Sequence, residues 1–180
     1  MRIVAGKYKA KRLFAPKDIA VRPTLERTRE ALFSILYSKG IDFNNTRVLD
    51  VFAGTGAFGF EALSRGAQKV TFIDKDTQIV QKNAALFEAE KNKISIIRAN
   101  ISVLPYMPEK YNLLFMDAPY DKGLTEVAIE SLLKRDLIDD NALCLIETQK
   151  DETLNLPNNF EFFDERVYGI AKIRFFIYKK

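Results

Sequence analysis

The chain has 180 residues, of which 47% are hydrophobic and 29% charged, the size and composition of one globular domain. It contains no histidine and a single cysteine, which excludes a Ser-His-Asp triad, a histidine-ligated metal site, a zinc site and an internal disulfide. Because it also lacks a signal-peptide segment and any apolar run long enough to span a bilayer, we expect a cytoplasmic protein.

The net charge of +4 is unevenly distributed along the chain. Residues 1–30 hold nine Lys or Arg side chains against three acids, residues 166–180 hold five against none, and the segment between carries −7. Two solvated basic faces would explain this pattern without any ligand. The separation of sign by segment nevertheless favours a polyanion-binding surface supplied by the two ends, and hence a nucleic-acid partner.

In chain order, residues 1–22 predict a small hairpin or extended arm, and residues 22–40 predict a helix that ends at Gly40. From Arg47 onward, strands and helices alternate, which predicts parallel strands joined by helical crossovers. The predicted strands are 47–53, 69–74, 94–99, 111–117 and 142–148, and the predicted helices between them are 56–66, 77–92 and 124–136.

The C-terminal segment departs from this alternation. Residues 160–169 and 171–180 are two β-rich runs around Gly169, which predicts an antiparallel hairpin at the sheet edge. The expected fold class is therefore α/β, with a mostly parallel seven-stranded sheet that ends in an antiparallel pair. This is the outline of the class I methyltransferase (Rossmann-like) fold, here a single domain over residues 1–180.

A glycine-rich loop follows the first strand of this alternating region. "LDVFAGTGAFG" carries glycines at 54, 56 and 59, a spacing that also fits the dinucleotide fingerprint, and Asp74 ends the next strand, where an acid can hold ribose hydroxyls. Asp50 would repel a pyrophosphate but attract a ligand's ammonium group, and the chain offers no second substrate domain, so S-adenosylmethionine is favoured over NAD. A tight turn without ligand is the alternative.

The third strand ends in "IIRANISVL". Asn100 and Ile101 stand where ligands bind in open α/β sheets, and an amide beside an aliphatic side chain would suit an adenine ring. A capping asparagine with a core isoleucine is an equally good interpretation.

The fourth strand runs into "DAPY", which predicts a site for an exocyclic base amine. Asp117 and the carbonyl of Ala118 can accept hydrogen bonds from the amine's N–H groups, which frees its lone pair for a methyl group. Pro119 stiffens the turn, and Tyr120 offers a face on which a flipped base can stack, worth about 1–3 kcal/mol.

"DAPY" resembles the D-P-P-Y motif of amino-group methyltransferases that act on nucleic-acid bases, with Ala118 in place of the first proline. Together with "MRIVAGKYKAKRL", "RPTLERTREALFSIL", "LDVFAGTGAFGFEALSRGA" and "RVYGIAKIRFF", it is similar to the bacterial enzymes that methylate guanine N2 in small-subunit ribosomal RNA. The resemblance runs from residue 1 to near the C-terminus. It implies S-adenosylmethionine as cofactor and small-subunit ribosomal RNA as partner, with partly or fully assembled subunits favoured over naked RNA. No motif argues for dimerisation, so a monomer is expected by default.

The resemblance also implies a role for each matching residue. Residues 1–40 would form a basic extension that contacts RNA, and residues 41–180 the cofactor-binding core. Cofactor contacts would come from Asp50, Phe52, Gly54, Gly56, Asp74, Asn100 and Ile101, catalysis from Asp117, Ala118, Pro119 and Tyr120, and RNA contacts from Arg22, Thr24, Arg27 and Arg29.

Several alternatives remain at this stage. The arginines could be helix-surface charges or a buried pair with Glu26 or Glu30, and Thr24 could cap its helix. An adenine-N6 DNA methyltransferase shares the "DAPY" chemistry, and an RNA-binding module with a degenerate site is a different class of function. Cys144 is expected in the core, and Glu147 is interpreted as a solvated acid at the end of its strand.

Overall fold

The computed structural model describes residues 1–16, 23–120 and 122–180, and its centre is one seven-stranded sheet in the order β3-β2-β1-β4-β5-β7-β6. Strands β1 to β5 pair in parallel, and β7 pairs antiparallel with both β5 and β6. The strands are β1 Arg47–Val51, β2 Lys69–Asp74, β3 Ile94–Arg98, β4 Tyr111–Asp117, β5 Ile138–Gln149, β6 Phe160–Tyr168 and β7 Ala171–Tyr178. The α-helices are α1 Pro23–Ser38, α2 Ala57–Ser64, α3 Gln78–Ala84 and α4 Leu124–Lys134, with 3₁₀ helices at Phe43–Asn45 and Ala85–Lys93. The predicted fold class is confirmed.

The predicted hairpin at the N-terminus is confirmed for residues 1–13. One antiparallel bridge joins Arg2 to Arg12, and the Ile3 amide donates to the Lys11 carbonyl at 2.9 Å. Ile3 and Leu13 are buried in the same hydrophobic cluster as α1 and α2, so the hairpin packs on the body of the protein. The remainder of the predicted arm, residues 17–22, lies outside the described residues.

The helix predicted over 77–92 is wrong beyond its first half. The α-helix ends at Ala84, and the following 3₁₀ helix contains non-helical angles at Phe87 (φ −118°, ψ 37°). The buried Phe87 ring stacks on Phe60 with centroids 4.7 Å apart and meets Tyr8 edge-on at 4.9 Å. We attribute the break to this packing, because an aromatic contact of this kind overrides a modest local helix preference.

Side chains of the central strands alternate between two buried layers. On β4, Leu113 and Phe115 join the cluster that contains the N-terminal hairpin, α1 and α2, whereas Leu114 and Met116 join the cluster that contains α4. This two-residue period is the normal geometry of a strand covered on both faces. Among the described residues, no helix has the length and apolar character needed to cross a membrane.

Candidate active site

Four acidic side chains follow one another along the carboxyl edge of the sheet. Asp74, Asp50, Asp117 and Glu147 belong to β2, β1, β4 and β5, which are neighbours in that order. By the alternation of each strand, all four lie on the face that carries α1 and α2. Within the described part of the chain, no group of three acids or thiols is arranged to hold a metal ion. The edge is therefore an acidic site at the place where open α/β sheets bind ligands.

Asp50 is the most enclosed of these acids, with only 2% of its surface exposed. Its Oδ2 accepts a hydrogen bond of 3.0 Å from the amide of Gly59 in the first turn of α2. Burial raises the pKa of Asp50 well above its usual range, and the charges of Asp117 and Asp74 raise it further. The carboxyl thus fastens β1 to α2, and a positive charge brought to the edge would favour its ionised form.

The glycine loop is tied to β2 through Asp74. The Gly54 amide donates to Asp74 Oδ2 at 2.8 Å, and the Asp76 amide donates to Oδ1 at 3.0 Å. Phe52 has a positive φ of 61°, which is uncommon for a residue with a side chain, and Gly54 has φ 53°. These bonds hold an unusual backbone path, and such paths concentrate at ligand sites.

Asn100 caps the turn that follows it and Ile101 lies in the core, which is the alternative to an adenine site. Asn100 is exposed, and its Oδ1 accepts hydrogen bonds from the Ser102 amide at 3.2 Å and from the Ser102 hydroxyl at 3.1 Å. Ile101 is buried in the cluster that contains α4. The amide NH2 of Asn100 makes no hydrogen bond within the described residues, so it is available to a ligand.

The "DAPY" corner begins at the last residue of β4. Ala118 is buried, Pro119 is exposed, and the half-buried Tyr120 donates its hydroxyl to Glu147 Oε1 at 3.1 Å. Glu147 is also the register partner of Asp117 across β4 and β5. The structure therefore links the corner to β5 by a contact between residues 27 positions apart.

The electrostatics of this corner are unusual. Although part of Asp117 is open to solvent, desolvation by the surrounding protein raises its pKa to about 7, and the charge of Glu147 adds to the shift. Desolvation likewise raises the pKa of Glu147 and of the Tyr120 hydroxyl. Two carboxyls that share one site titrate as a pair, so the pair holds protons at a higher pH than ordinary acids.

Of the residues expected to contact RNA, Arg29 is not at the surface. Only 6% of it is exposed, its Nε lies 3.4 Å from Glu61 Oε2, and its Nη2 donates to the Arg2 carbonyl. Burial lowers its pKa, opposed by the charge of Glu61. The alternative of a buried ion pair therefore describes Arg29, although the partner is neither Glu26 nor Glu30.

Arg27 is exposed, in keeping with a role at the surface. Arg22 lies outside the described residues, and so does the side chain of Thr24. At the other end of the chain, Lys179 and Lys180 are bound to Asn141 and Asp136. Because β7 runs antiparallel to β5, these two lysines lie at the edge of the sheet opposite the acidic site, so the expectation of one surface made by both basic ends is wrong for them. The other cations of the C-terminal segment, Arg166, Lys172 and Arg174, lie at the edge that carries Glu147.

Three residues with clear structural roles were missed or misjudged from sequence. Glu61 is fully buried and accepts hydrogen bonds from the Val4 and Ala5 amides, a role signalled only by an acid inside the apolar run "GFEALS". Glu147 is not an isolated solvated acid, and the sign of this was that two successive parallel strands both end near a carboxylate. The buried Asn83, which bonds Phe14 and the Thr55 carbonyl, had no recognisable signal. Cys144 is confirmed as a core residue.

Comparisons with known proteins agree with this geometry. The family described as Conserved hypothetical protein 95 matches residues 1–177. The protein named ribosomal RNA small subunit methyltransferase D from Haemophilus influenzae is 33% identical over 98% of this chain and 93% of its own length. Its namesake from Escherichia coli K12 is 32% identical over 98% and 89%. A solved structure of a candidate methyltransferase from Escherichia coli matches with a TM-score of 0.82 and 31% identity, covering 99% of this chain and 98% of that one.

The sheet order, the glycine loop after β1 and the acid-proline corner after β4 define a methyltransferase of the class I fold. The similarity covers nearly the whole chain and is specific enough to identify the family. The chain belongs to the family described as Conserved hypothetical protein 95, together with the relatives named ribosomal RNA small subunit methyltransferase D.

Proposed function

We propose that this protein transfers a methyl group from S-adenosylmethionine to the N2 amine of a guanine in small-subunit ribosomal RNA. The observation that carries the proposal is the position of the Asp117 corner. It stands at the same sheet edge and on the same face as the glycine loop and Asp74, so a cofactor and a base can meet there. The names of the relatives support the choice of RNA, and the cytoplasm is where such a substrate would be met.

The residues at this edge fit S-adenosylmethionine. A Cβ built on Gly54 would find only the Phe52 carbonyl oxygen within 4 Å, at 3.9 Å, so the loop backbone is open to close approach by a ligand. Asp74 would hold the ribose hydroxyls, and the amide NH2 of Asn100 would bind the adenine, whereas Ile101 is buried and is assigned no contact. Asp50 and Asp74 would favour the cofactor's ammonium and sulfonium charges. When bound, the cofactor supplies an electrophilic methyl group and leaves as a neutral thioether.

The protein's own contribution is to position and activate the amine. The lone pair of an exocyclic amine is delocalised into the base, so acceptors for its N–H groups favour the pyramidal nitrogen that attacks the methyl group. Asp117 would accept one N–H and the Ala118 carbonyl the other, while Tyr120 stacks on the base. No general acid is needed, because the leaving group is neutral, and the proton that the methylated nitrogen loses would pass to the Asp117 carboxylate or to solvent.

The RNA surface of this proposal lies on the N-terminal segment. A cleft of about 420 Å³ between the hairpin and α1 is lined by Arg2, Lys9 and Arg27, with Glu26 and Glu30. The cations are exposed, which suits contacts with a phosphate backbone. Arg29 does not belong to this surface, because its guanidinium is buried and paired with Glu61.

The glycines of the loop give a first prediction, in which Gly56→Ala affects folding and Gly54→Ala affects the cofactor. A Cβ at Gly56 would lie 2.6 Å from Phe60 and 2.8 Å from Val80, with φ +75°, so we expect the free energy of unfolding to fall by about 2–4 kcal/mol. Gly54→Ala should cost only about 1 kcal/mol but weaken cofactor binding by about tenfold or more. Urea unfolding and calorimetry measure the two effects.

Gly40→Ala is the matched control, since Gly40 also has a positive φ (+79°) and a Cβ there would have nothing within 4 Å. It should lose about as much stability as Gly54→Ala and bind cofactor normally. Equal cofactor affinity in both variants would mean that the backbone at Gly54 is not the contact surface.

A second prediction concerns pH. Asp117 is a much stronger acceptor for the amine's N–H groups as a carboxylate than when it is protonated, and its pKa is raised to about 7. We therefore expect kcat/KM to be constant above about pH 8 and to fall about tenfold per pH unit below pH 7. Asp117→Asn, which cannot titrate, should retain weak activity with a flat profile. A wild-type profile that stays level down to pH 5 would contradict the raised pKa.

The proposed function is tested by incubating the protein with methyl-labelled S-adenosylmethionine and small ribosomal subunits that lack the modification. We expect one guanine to acquire label, recovered as N2-methylguanosine after digestion. Label recovered as N6-methyladenine from duplex DNA would instead support the DNA methyltransferase alternative. A protein that binds no cofactor in calorimetry would be the RNA-binding module with a degenerate site.

A further inference from the structure

Glu147 is a carboxylate of the active-site edge that the proposed function does not use. It is the register partner of Asp117 on β5, so the two side chains leave neighbouring strands on the same face of the sheet. It is half-buried, and its Oε1 accepts the Tyr120 hydroxyl hydrogen bond of 3.1 Å. One residue is thereby adjacent to both the proposed amine acceptor and the proposed stacking ring.

The second oxygen of Glu147 remains available. Within residues 1–16, 23–120 and 122–180, no hydrogen bond reaches Oε2, whereas Oε1 is held by Tyr120. Desolvation raises the pKa of both Asp117 and Glu147, and among the described residues the Tyr120 hydroxyl is the one hydrogen-bond donor to either carboxyl. A ligand that brings two adjacent donors would satisfy this pair.

Guanine has the matching edge. Its N1–H and N2–H groups point the same way from neighbouring ring positions, so it offers two parallel donors. Adenine offers an amine next to N1, which is a lone-pair acceptor and would face a carboxylate oxygen unfavourably. A pair of carboxyls on adjacent strands therefore accepts guanine and rejects adenine.

We propose that Glu147 determines the base specificity of the enzyme by accepting the N1–H of the target guanine while Asp117 accepts its N2–H. The inference rests on the proposed function and deepens it. Tyr120 has two tasks in this arrangement, because its ring stacks on the base and its hydroxyl fixes the Glu147 carboxyl. A purely structural Glu147, which only oriented Tyr120, would affect every stacked purine alike.

The test compares two RNA substrates that differ at N1, the ring position that Glu147 would contact. The guanine identified by the labelling assay is replaced by 2-aminopurine, which keeps the N2 amine but has an acceptor at N1 and no O6. Wild-type enzyme should prefer guanine by about 10²-fold or more in kcat/KM. In Glu147→Gln, the side-chain amide can rotate to donate to N1, so the preference should fall to within about tenfold.

Glu152→Gln is the matched control. It removes the same charge near Tyr120, but this carboxyl bonds the Gln149 amide of its own turn, so the guanine preference should persist. Should Glu147→Gln fail to fold, Tyr120→Phe releases the Glu147 carboxyl while keeping the ring, and the preference should again decline.

Each outcome decides the matter. A lower preference in Glu147→Gln with an unchanged preference in Glu152→Gln supports the assignment. Equal slowing of both substrates in Glu147→Gln, or a wild-type enzyme that methylates both equally well, overturns it while leaving the guanine reaction intact. Failure of the wild-type enzyme to methylate guanine at all refutes the proposed function, and this inference with it.

Discussion

Replacing Asp117 by alanine is expected to lower the rate of methyl transfer by about 10²–10³-fold, the usual effect of removing one preorganised hydrogen-bonding group from an active site. Asp117 stands at the end of β4, where its carboxyl is desolvated beside Glu147. The variant would leave the Ala118 carbonyl as the remaining acceptor for the amine. Asp117→Asn keeps one acceptor oxygen and should lie between alanine and wild type.

The measurement separates chemistry from binding. Single-turnover methylation of small ribosomal subunits reports the transfer step, and calorimetry reports cofactor affinity, which should fall much less than the transfer rate because the loop and Asp74 are untouched. Asp151→Ala removes an exposed acid from the turn that follows β5 and should leave the transfer rate unchanged. Full activity in Asp117→Ala would rule out the amine-acceptor role and, with it, the mechanism.

Cofactor binding should also release protons near neutral pH. The cofactor would bring its sulfonium and ammonium charges to an edge where the pKa of Asp117 is raised to about 7 and the pKa of Glu147 is also raised. A nearby cation lowers the pKa of a carboxyl, so protonated acids lose their protons as the ligand binds. This coupling explains how an edge with four acids is tolerated before the ligand arrives.

Most of the fold was predictable because local patterns of apolar and polar residues determine its strands and helices. The strands from Lys69 to Asp74 and from Tyr111 to Asp117 have the predicted bounds, since an apolar run flanked by polar residues or turns identifies a buried strand. The start of β5 was missed by four residues. The polar stretch at Asp139, Asp140 and Asn141 hid it, and Asn141, with φ +62°, is a local irregularity in an otherwise extended strand.

The candidate site likewise has a part that local patterns predict and a part that they do not. The Asp117 corner and the glycine loop could be proposed as a site from the sequence because each is a contiguous motif whose chemistry follows from its residue types. The enclosure of Asp50, the pairing of Glu147 with Tyr120 and the burial of Arg29 depend on contacts between distant segments. Charge counted along the sequence failed for a related reason, since an antiparallel strand carries its last residues to the opposite edge of the sheet.

Glu61 is a buried acid that anchors the N-terminal hairpin, and Glu61→Ala should lower the free energy of unfolding by about 3–5 kcal/mol, the usual effect of removing one partner of a buried ion pair. It accepts hydrogen bonds from the Val4 amide at 2.8 Å and the Ala5 amide at 3.0 Å, and Arg29 Nε lies 3.4 Å away. Without it, these two amides and the Arg65 guanidinium lose a hydrogen-bond acceptor, and the buried Arg29 loses its counter-charge.

The exposed pair of Arg2 and Glu26 is the matched control, because Glu26→Ala removes an acid from the same region but should cost under about 1 kcal/mol. Urea unfolding gives both values, and hydrogen exchange at Val4 and Ala5 shows whether the hairpin detaches before the sheet unfolds. Arg29→Met added to Glu61→Ala should recover part of the loss, since it removes the orphaned charge. Equal costs for Glu61→Ala and Glu26→Ala would mean that the hairpin is held by its other contacts, which are the burial of Ile3 and Leu13 and the hydrogen bonds to Ser64, Asn83 and Glu90. The expected inequality makes the buried Glu61 carboxylate a principal link between a basic surface suited to RNA and the sheet that positions the reaction.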